Sequence, residues 1–386
     1  MKMFPLVLAG LLACVVYVTW HLWRIAPGGW PVKCTVAGLF VLWMALSFVS
    51  LGLSEKVPVP VAVAMQEAGM PWMIAFLYLL LVFAVADIAS VCRILPKGCL
   101  RDNLTGLAAV LGTVTVILAA GGLHYRHKYR EDLTVQTAKP LEKPLTVVLA
   151  SDLHIGYTNR RAELARWIDL INAAEPDLVL FGGDIIDMRL RPVVESGCAE
   201  EFRRLNAPAF AVTGNHEFYG DILGAERFYA DAGITLLRDS VAQFKGVRIA
   251  GRDDLGNRQR LPLAALLPGA KPAGQEAQTT APDAGNEQIA ADGSATPFTL
   301  LLDHQPADLS EAEKAGVDFQ FSGHTHRGQV WPLSWVTDAI FEKSLGHHTR
   351  GGTQYYISSG LGIWGPKIRI GTRSEYLVLH IIPATE

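Results

Sequence analysis

The sequence has few cysteines, and their placement excludes two common kinds of site. Of the five cysteines, only Cys198 lies in the polar part of the chain, so that part cannot close an internal disulfide. It also lacks the clustered cysteines of a structural zinc site. Any metal bound there must therefore use oxygen and imidazole ligands.

Charged residues are also scarce, and neither sign dominates. They make up 18% of the 386 residues, half of the chain is hydrophobic, and the formal net charge is −3. This balance excludes the basic surface of a nucleic-acid-binding protein, so we expect no nucleic acid partner. The high apolar content favours a membrane protein, and the length predicts more than one domain.

The apolar residues are concentrated at the start of the chain, in four stretches long enough to cross a bilayer. These are Met3–Trp20, Cys34–Leu53, Met70–Cys92 and Leu104–Leu123. We therefore predict a four-helix transmembrane domain over residues 1–124, with the first stretch retained rather than cleaved as a signal peptide. Asp87 lies near the end of the third stretch, where a position at the membrane interface near Arg93 is favoured over a role in an ion pathway.

Basic residues in the short loops predict the orientation. The loops after the first and third stretches carry most of the Lys and Arg, whereas the loop after the second carries only Lys56. This bias puts the basic loops in the cytoplasm and both termini outside it. Arg126, Lys128 and Arg130, after the fourth stretch, argue the other way. The balance favours a multi-pass protein whose soluble domain is extracytoplasmic.

The rest of the chain has the pattern of an α/β protein. Residues 125–144 are polar and predict a juxtamembrane linker, and residues 145–386 predict a soluble domain. Three buried strands alternate with three helices, and this order predicts a parallel sheet. The strands are Leu145–Ala150, Asp177–Phe181 and Ala209–Thr213, and the helices are Arg160–Ala173, Glu195–Leu205 and Asp221–Ala232.

Later strands lie closer together and predict a second, more mixed sheet. The candidates are Val247–Ala250, Phe298–Leu302, Phe319–Phe321, Tyr355–Ser358 and Glu375–Ile381. Residues 268–296 have almost no large apolar side chains, so we predict a disordered insert there.

Polar residues of the first sheet fall where its strands end, which is where ligands gather in open α/β sheets. Asp152 and His154 follow the first strand and, two residues apart, can point to the same ion. Asp184 follows the second strand directly, and a metal would compensate its buried charge. Asp187 is placed to orient a neighbouring ligand.

The same pattern continues along the chain. Asn215, after the third strand, offers an amide oxygen to a metal, and His216 beside it can face a substrate. His304 ends an apolar run, and His324 and His326 follow a strand two residues apart. Together these residues predict a mixed oxygen and nitrogen site for two divalent ions, and this donor set suits Mn, Fe, Co or Zn.

In this order, the motifs resemble the calcineurin-like metallophosphoesterase superfamily over about Leu145–Ile381. The motifs are Asp152-x-His154, Gly183-Asp184-x-x-Asp187, Gly214-Asn215-His216-Glu217, His304 and Gly323-His324-x-His326. Within it, the chain is similar to the bacterial membrane-anchored branch that includes transmembrane proteins with a metallophosphoesterase domain, and two further stretches fit that branch. These are Arg327-Gly-Gln329 and Ser359-Gly-Leu-Gly362.

The resemblance implies a fold and a role for each matched residue. The fold is a pair of mixed β-sheets sandwiched together and flanked by helices, in a protein of the bacterial inner membrane. The implied roles are a first ion on Asp152, His154 and His326, a second on Asn215, His304 and His324, a bridging Asp184, an orienting Asp187 and a catalytic His216. Arg327 stands where the branch commonly has glycine, so it is a candidate for substrate contact.

The function implied is hydrolysis of a phosphodiester or pyrophosphate bond by a metal-activated water, without a covalent enzyme intermediate. The expected partners are the lipid bilayer and a phosphate-containing small molecule or lipid, such as UDP-2,3-diacylglucosamine. The alternatives are a broad phosphodiesterase, a non-catalytic metal-binding scaffold and a transporter, which one intramembrane carboxylate supports poorly. Four further polar or aromatic residues are interpreted as loop or surface positions: His347, His348, Arg350 and Trp364.

Overall fold

A computed structural model describes residues 4–96, 98–268 and 296–384. The chain divides into two compact units. The helical unit comprises residues 1–126 and 365–369, and the α/β unit comprises residues 127–364 and 370–386. The predicted disordered insert over 268–296 lies, apart from its two end residues, outside the described residues.

Four segments of the helical unit are long and apolar enough to cross a membrane, as predicted. The helices are α1 (Phe4–Ile25), α2 (Trp30–Leu53), α3 (Val59–Gly69), α4 (Pro71–Val91) and α5 (Leu104–Arg126). The first helix continues past the predicted end at Trp20 as far as Ile25. The third segment joins α3 and α4 over Val59–Val91. These features indicate a membrane protein.

Asp87 in α4 is tied to α1. Its carboxylate accepts a hydrogen bond from the Tyr17 hydroxyl at 2.7 Å and lies 3.1 Å from Nε2 of His21. His21 is fully buried, and its ring stacks on Phe83. A carboxylate on an apolar helix is stabilised by nearby polar side chains, and here these are Tyr17 and His21. The position of Asp87 at the membrane interface near Arg93 stays a prediction.

The α/β unit contains twelve strands and eight α-helices among the described residues. The strands are β1 (Lys128–Thr137), β2 (Leu145–Ala150), β3 (Leu178–Phe181), β4 (Ala209–Ala211), β5 (Ile234–Leu236), β6 (Ser240–Phe244), β7 (Val247–Gly251), β8 (Phe298–Leu302), β9 (Phe319–Ser322), β10 (Gly346–Arg350), β11 (Thr353–Ile357) and β12 (Ser374–Pro383). The helices are α6 (Arg161–Asn172), α7 (Arg191–Glu195), α8 (Cys198–Phe202), α9 (Asn215–Tyr219), α10 (Ile222–Asp231), α11 (Leu263–Leu266), α12 (Leu309–Lys314) and α13 (Leu333–Ile340).

The strands form two six-stranded mixed sheets, which confirms the predicted fold class. The first sheet has the order β1-β12-β2-β3-β4-β5, and β2 to β5 run parallel. The second has the order β10-β11-β9-β8-β7-β6, with a parallel centre and antiparallel outer pairs.

The first strand corrects the predicted juxtamembrane linker over 125–144. Residues Lys128–Thr137 pair with β12 along their whole length and form an edge of the first sheet. Alternate side chains are covered, with Val135 and Thr137 buried, while the opposite face is exposed and polar. Such a half-polar edge strand lacks the continuous apolar run of a central strand.

Apolar side chains fill the space between the sheets. Leu180 of the first sheet and Phe321 of the second are fully buried in this central core. The sheets approach closely at their ends, where a Cβ added to Gly182 would lie 2.8 Å from the Phe321 ring. Each large side chain buried there contributes about 1.5–3 kcal/mol relative to exposure.

Helices cover both outer faces. Trp167 and Ile168 of α6 pack on the first sheet, and Leu309 of α12 packs on the second. The predicted helix over 195–205 is replaced by the shorter α7 and α8, because Gly197 between them has φ of 72°, a left-handed conformation that interrupts a helix.

Candidate metal centre

The ends of five strands bring the predicted ligands together. Asp152 and Asp184 follow β2 and β3, and Asn215 lies just after β4. His304 and His324 follow β8 and β9 of the second sheet. Since the carboxyl ends of parallel strands share one edge of a sheet, both sheets present their loops to a common cleft.

One group of donors combines both sheets. Nε2 of His326 lies 3.3 Å from the Asp152 carboxylate and 3.1 Å from Nε2 of His154. Asp152 and His154 are fully buried. Two imidazole nitrogens and a carboxylate oxygen therefore converge within 4.8 Å of one another, as in a metal site.

A second group lies beside the first. Asp184, His304 and His324 also converge within 4.8 Å, and Nδ1 of His324 lies 2.7 Å from the Asn215 amide oxygen. Asp184 is shared, because its Oδ2 lies 3.2 Å from Nε2 of His304 and 3.7 Å from Nε2 of His154. One carboxylate thus faces the imidazoles of both groups.

The protonation of His304 tests whether these residues suit a cation. Its Nδ1 lies 2.7 Å from the carbonyl oxygen of Gly182, so Nδ1 carries a proton and donates it. Nε2 is buried without a hydrogen-bond partner and faces Asp184. Burial lowers the pKa of His304, but the charge of Asp184 outweighs it and raises that pKa. The space between Nε2 and the carboxylate is therefore a place for positive charge, which a divalent ion between them would supply. The donor set therefore fits a metal.

The two central carboxylates are ionised. Burial raises the pKa of Asp152, but the imidazoles of His326 and His154 outweigh it and hold that pKa well below its usual range. Burial likewise raises the pKa of Asp184, but the charge of the His304 imidazole outweighs burial and holds that pKa below its usual range. Two buried negative charges surrounded by imidazoles favour the binding of divalent cations.

His216 is held in place by two carboxylates. Its Nδ1 lies 3.0 Å from the carboxylate of Asp187, and its backbone N–H donates to Asp184 at 2.8 Å. Burial lowers the pKa of His216, but the hydrogen bond to Asp187 and the charge of Asp184 outweigh it and raise the pKa. His216 also forms a third donor group with His154 and Asp184, whose ligand atoms lie within 4.8 Å of one another.

Five of the candidate ligands have left-handed backbone conformations. These are Asp152 (φ 54°), His154 (45°), Asp184 (50°), His324 (69°) and His326 (45°). Such conformations are uncommon outside glycine, and Asp and His are among the residues that adopt them most readily. Each costs about 1 kcal/mol or more, a strain that is typical of functional sites.

The loop around Ser359–Gly362 supports the first donor group. The backbone N–H of Gly362 donates to the carbonyl oxygen of Asp152 at 3.1 Å. A Cβ on Gly362 would lie 2.1 Å from the carbonyl oxygen of Leu153, so only glycine permits this approach. The loop thereby fixes the backbone that carries Asp152 and His154.

Glu217 supports the loops after β3 and β4. It is buried and accepts hydrogen bonds from the backbone N–H groups of Ile186 and Gly214 and from the Tyr229 hydroxyl. Sequence reasoning assigned it no role, although its place in the Gly214–Glu217 motif marked it. It connects the loops of Asp184 and Asn215.

A cavity opens over the donor groups. Its lining comprises Asp184, Asn215, His216, His324, Thr325, His326, Gly328, Gln329 and Trp364. Trp364, interpreted from the sequence as a loop or surface residue, is in a loop but lines this cavity, where its ring lies 6.4 Å from that of His216. The side chain of Gln329 donates to the backbone oxygen of Trp364 at 3.0 Å. An aromatic residue in the glycine-rich stretch 360–365 was the available signal.

Three other candidates lie elsewhere. Arg327 is outside the cavity lining, and its guanidinium lies 3.8 Å from Asp338 of α13. His347 is exposed on β10, and His348 follows it. The substrate contact suggested for Arg327, which directly follows His326, stays a prediction.

With this geometry in view, the comparisons with known proteins define the class. Residues 145–328 match the family model of calcineurin-like phosphoesterases. The chain therefore carries a calcineurin-like metallophosphoesterase domain, which confirms the resemblance found in its motifs.

Particular relatives are similar over about two thirds of this chain. An uncharacterized metallophosphoesterase of Helicobacter pylori (strain J99) is 29% identical over 248 residues, which are 64% of this chain and 62% of that protein. A transmembrane protein with metallophosphoesterase domain from Danio rerio is 30% identical over 284 residues, which are 68% of this chain and 60% of that protein. The matches thus span about three fifths of these relatives.

A solved structure, that of a 5'-nucleotidase precursor from Thermus thermophilus, is also similar. It is 15% identical, with a TM-score of 0.37, and the match covers 61% of this chain and 55% of that one.

Proposed function

We propose that the α/β unit hydrolyses a phosphodiester or pyrophosphate bond with two divalent metal ions. The observation that carries this proposal is the position of Asp184, whose Oδ2 lies within 3.7 Å of His154 in one donor group and 3.2 Å of His304 in the other. A carboxylate placed in this way is suited to bridge two ions. Mn, Fe, Co and Zn suit the mixture of carboxylate and imidazole.

The ligand sets follow the two donor groups. Asp152, His154 and His326 would hold one ion, and His304, His324 and Asn215 would hold the other, with Asp184 between them. The pair of ions, when bound, supplies a positive clamp for a phosphate and lowers the pKa of a water nucleophile. Five of these seven residues have strained backbones, which supports a functional role for the cluster.

His216 is the proposed catalytic residue. Asp187 holds Nδ1 of His216 and leaves Nε2 for the substrate. Because the pKa of the ring is raised, the imidazolium can donate a proton to the leaving oxygen. Asp187 is then a positioning residue, since it acts through the imidazole. The non-catalytic scaffold requires none of this arrangement around His216.

Replacing the shared carboxylate tests the proposal. In the full chain purified in detergent, Asp184→Asn should lower turnover of a soluble aryl phosphodiester at least about 1,000-fold, because both ions lose a common ligand. The melting temperature should change little, and bound metal should fall. Asp231→Asn, at an exposed carboxylate of α10, is the matched control. Full turnover by the Asp184→Asn protein would show that the bridging role is wrong.

The substrate class is a separate part of the proposal. A domain attached to membrane helices favours a lipid-linked phosphate, and UDP-2,3-diacylglucosamine is the specific compound that the sequence resemblance suggests. The alternative is a broad phosphodiesterase without lipid preference. Relative turnover of a lipid pyrophosphate and a soluble aryl phosphodiester distinguishes the two, since the broad enzyme would hydrolyse the soluble ester at least as well.

The location is proposed from the loop charges. We place the protein in the bacterial inner membrane, with the α/β unit outside the cytoplasm. A reporter that is active only in the cytoplasm, fused after Glu386, should remain inactive. An active reporter would reverse the orientation and would agree better with the diacylglucosamine substrate, whose hydrolysis requires a cytoplasmic site.

A further inference from the structure

An exposed apolar surface lies on α13 and the residues before it. Trp335, Val336 and Ile340 are 64%, 53% and 68% exposed, and Trp331 and Leu333 are also exposed. We call these five residues the α13 patch. The surfaces of soluble domains rarely expose a contiguous cluster of large apolar side chains, so the patch indicates a binding surface.

The α13 patch belongs to the same substructure as the cavity. Gly328 lines the cavity, and a Cβ added to it would lie 2.4 Å from the carbonyl carbon of Leu333, so the two backbones are in contact. The ring of Phe341, directly after α13, lies 6.1 Å from that of His324. The Thr325 hydroxyl donates to the carbonyl oxygen of Ser344 at 2.6 Å. The helix is therefore attached to the loop that carries two proposed ligands.

The cavity itself is small. Its volume is about 230 Å³, whereas pockets that enclose whole drug-sized ligands measure roughly 300–1,000 Å³. It accommodates a phosphate group, and the remainder of a larger substrate must lie on the surrounding surface. On one side that surface is the α13 patch.

An ion pair borders the patch. Asp338 is the only ionisable residue within Leu333–Ile340, and the Arg327 guanidinium lies 3.8 Å from it. A second polar ligand therefore finds little to bind there, whereas a hydrocarbon chain gains from covering the indole rings and aliphatic side chains.

We propose that the α13 patch binds the apolar chain of an amphiphilic substrate whose phosphate occupies the cavity. A single ligand with a phosphate head and a hydrocarbon chain matches a metal-binding cavity bordered by an apolar surface. The four apolar helices place the protein among molecules of this class. The proposal rests on the proposed hydrolase function and identifies its substrate class and specificity residues.

The test uses alkyl p-nitrophenyl phosphodiesters with chains from methyl to octyl, and the full protein in detergent. If each added methylene is partly buried, kcat/KM should rise about twofold per methylene and about 100-fold over the series. The double variant Val336→Ser/Ile340→Ser, one turn apart on α13, should lower the octyl-to-methyl ratio at least tenfold and leave the methyl ester unchanged.

The matched control is Val194→Ser/Leu223→Ser, at two residues of the α/β unit that are 59% and 60% exposed. It should keep the full dependence on chain length. The esters partition into detergent micelles to the same extent with every variant, so a difference in chain-length dependence between two variants comes from the protein.

The outcomes separate the two proposals. A flat series in the parent protein, or an unchanged ratio in the α13 variant, overturns the inference while hydrolysis stands. If the variant is impaired only with vesicle-bound substrate and not with monomeric octyl ester, the patch binds the bilayer surface, which also overturns it. If no ester is hydrolysed, the proposed function fails. Equilibrium dialysis then compares the binding of octyl phosphonate with that of methyl phosphonate. Tighter binding of the octyl compound supports the inference, and equal binding overturns it.

Discussion

The first sheet contributes every oxygen ligand of the candidate centre, whereas the second sheet contributes only imidazoles. Asp152, Asp184 and Asn215 follow strands of the first sheet, and His304 and His324 follow strands of the second. Each of the two proposed ligand groups nevertheless takes side chains from both sheets. The first sheet thus provides the negative charge and the second provides only nitrogen donors, so metal binding depends on how closely the two sheets approach.

The close approach is visible on both sides. Gly182 in the first sheet lies against Phe321, and a Cβ on Gly323 in the second would lie 2.2 Å from the Asp152 carboxylate. Glycines at both positions let the two ligand loops meet. Fold stability and site geometry are therefore coupled through the core between the sheets.

Among the tests of this comparison between the sheets, the largest effect is expected when one imidazole is removed from either sheet. His154→Gln and His324→Gln should each reduce bound metal from two ions towards one and lower kcat/KM at least about 100-fold, because each removes a ligand of a different ion. His347→Gln, on the exposed face of β10, is the control. Equal loss of both ions in either variant, measured by metal analysis, would contradict two separable donor groups.

A smaller effect is expected from Asp187, which contributes to the site through His216. Asp187→Asn should lower kcat about tenfold with little change in KM, since the imidazole loses its anchor and the ions keep their ligands. Metal content should stay at the parent level. A loss of metal would instead assign Asp187 to the ligands and would move another oxygen donor into the first sheet.

The smallest effect concerns the opposite ends of the sheets, where the two are alike. Asp177 precedes β3 and accepts from the backbone N–H of Thr146 at 3.1 Å, and Asp318 precedes β9 and accepts from that of Thr299 at 2.7 Å. Each carboxylate also binds a lysine, Lys245 at 2.9 Å and Lys139 at 2.7 Å respectively. Asp177→Asn and Asp318→Asn should each cost about 1 kcal/mol, a fall of about 2–4 °C in Tm.

The pH dependence of that stability follows from Asp177. Burial raises its pKa, but the bonds from Lys245 and Thr146 outweigh it and hold the pKa at about 2. Because the folded pKa lies below the unfolded one, this stabilisation is present above about pH 4 and is lost as the pH falls towards 2. Between those values, thermal shift should show a smaller decline for Asp177→Asn than for the parent protein. Parallel declines would mean that the interaction contributes nothing.

The sequence predicted the parts of the fold that have strong periodicity. Continuous apolar runs marked β2, β3 and β8, and polar residues after them were expected to meet because parallel strands end at one edge. The edge strand β1 was missed because its polar alternation has the composition of a linker. The exposed helix α13 was missed because it is short and lacks the polar face by which a surface helix is recognised.

Within the candidate site, the residue types in the sequence indicated the donor side chains, but the sequence did not indicate positions that depend on the tertiary structure. Asp and His after strands indicated which donor side chains converge. The position of Trp364 in the cavity lining, however, depends on a distant loop that returns beside His216. The 3.8 Å approach of the Arg327 guanidinium to Asp338 likewise depends on the turn that brings α13 back beside Gly328. Neither is encoded in local spacing.

The left-handed ligand positions set function against stability. At such a position a glycine would relieve the backbone strain that Asp152 or His326 imposes, and the inactive protein could gain stability in the same step. Selection for thermal resistance alone would therefore remove ligands from this centre, and a library screened only for folding would be enriched in dead variants.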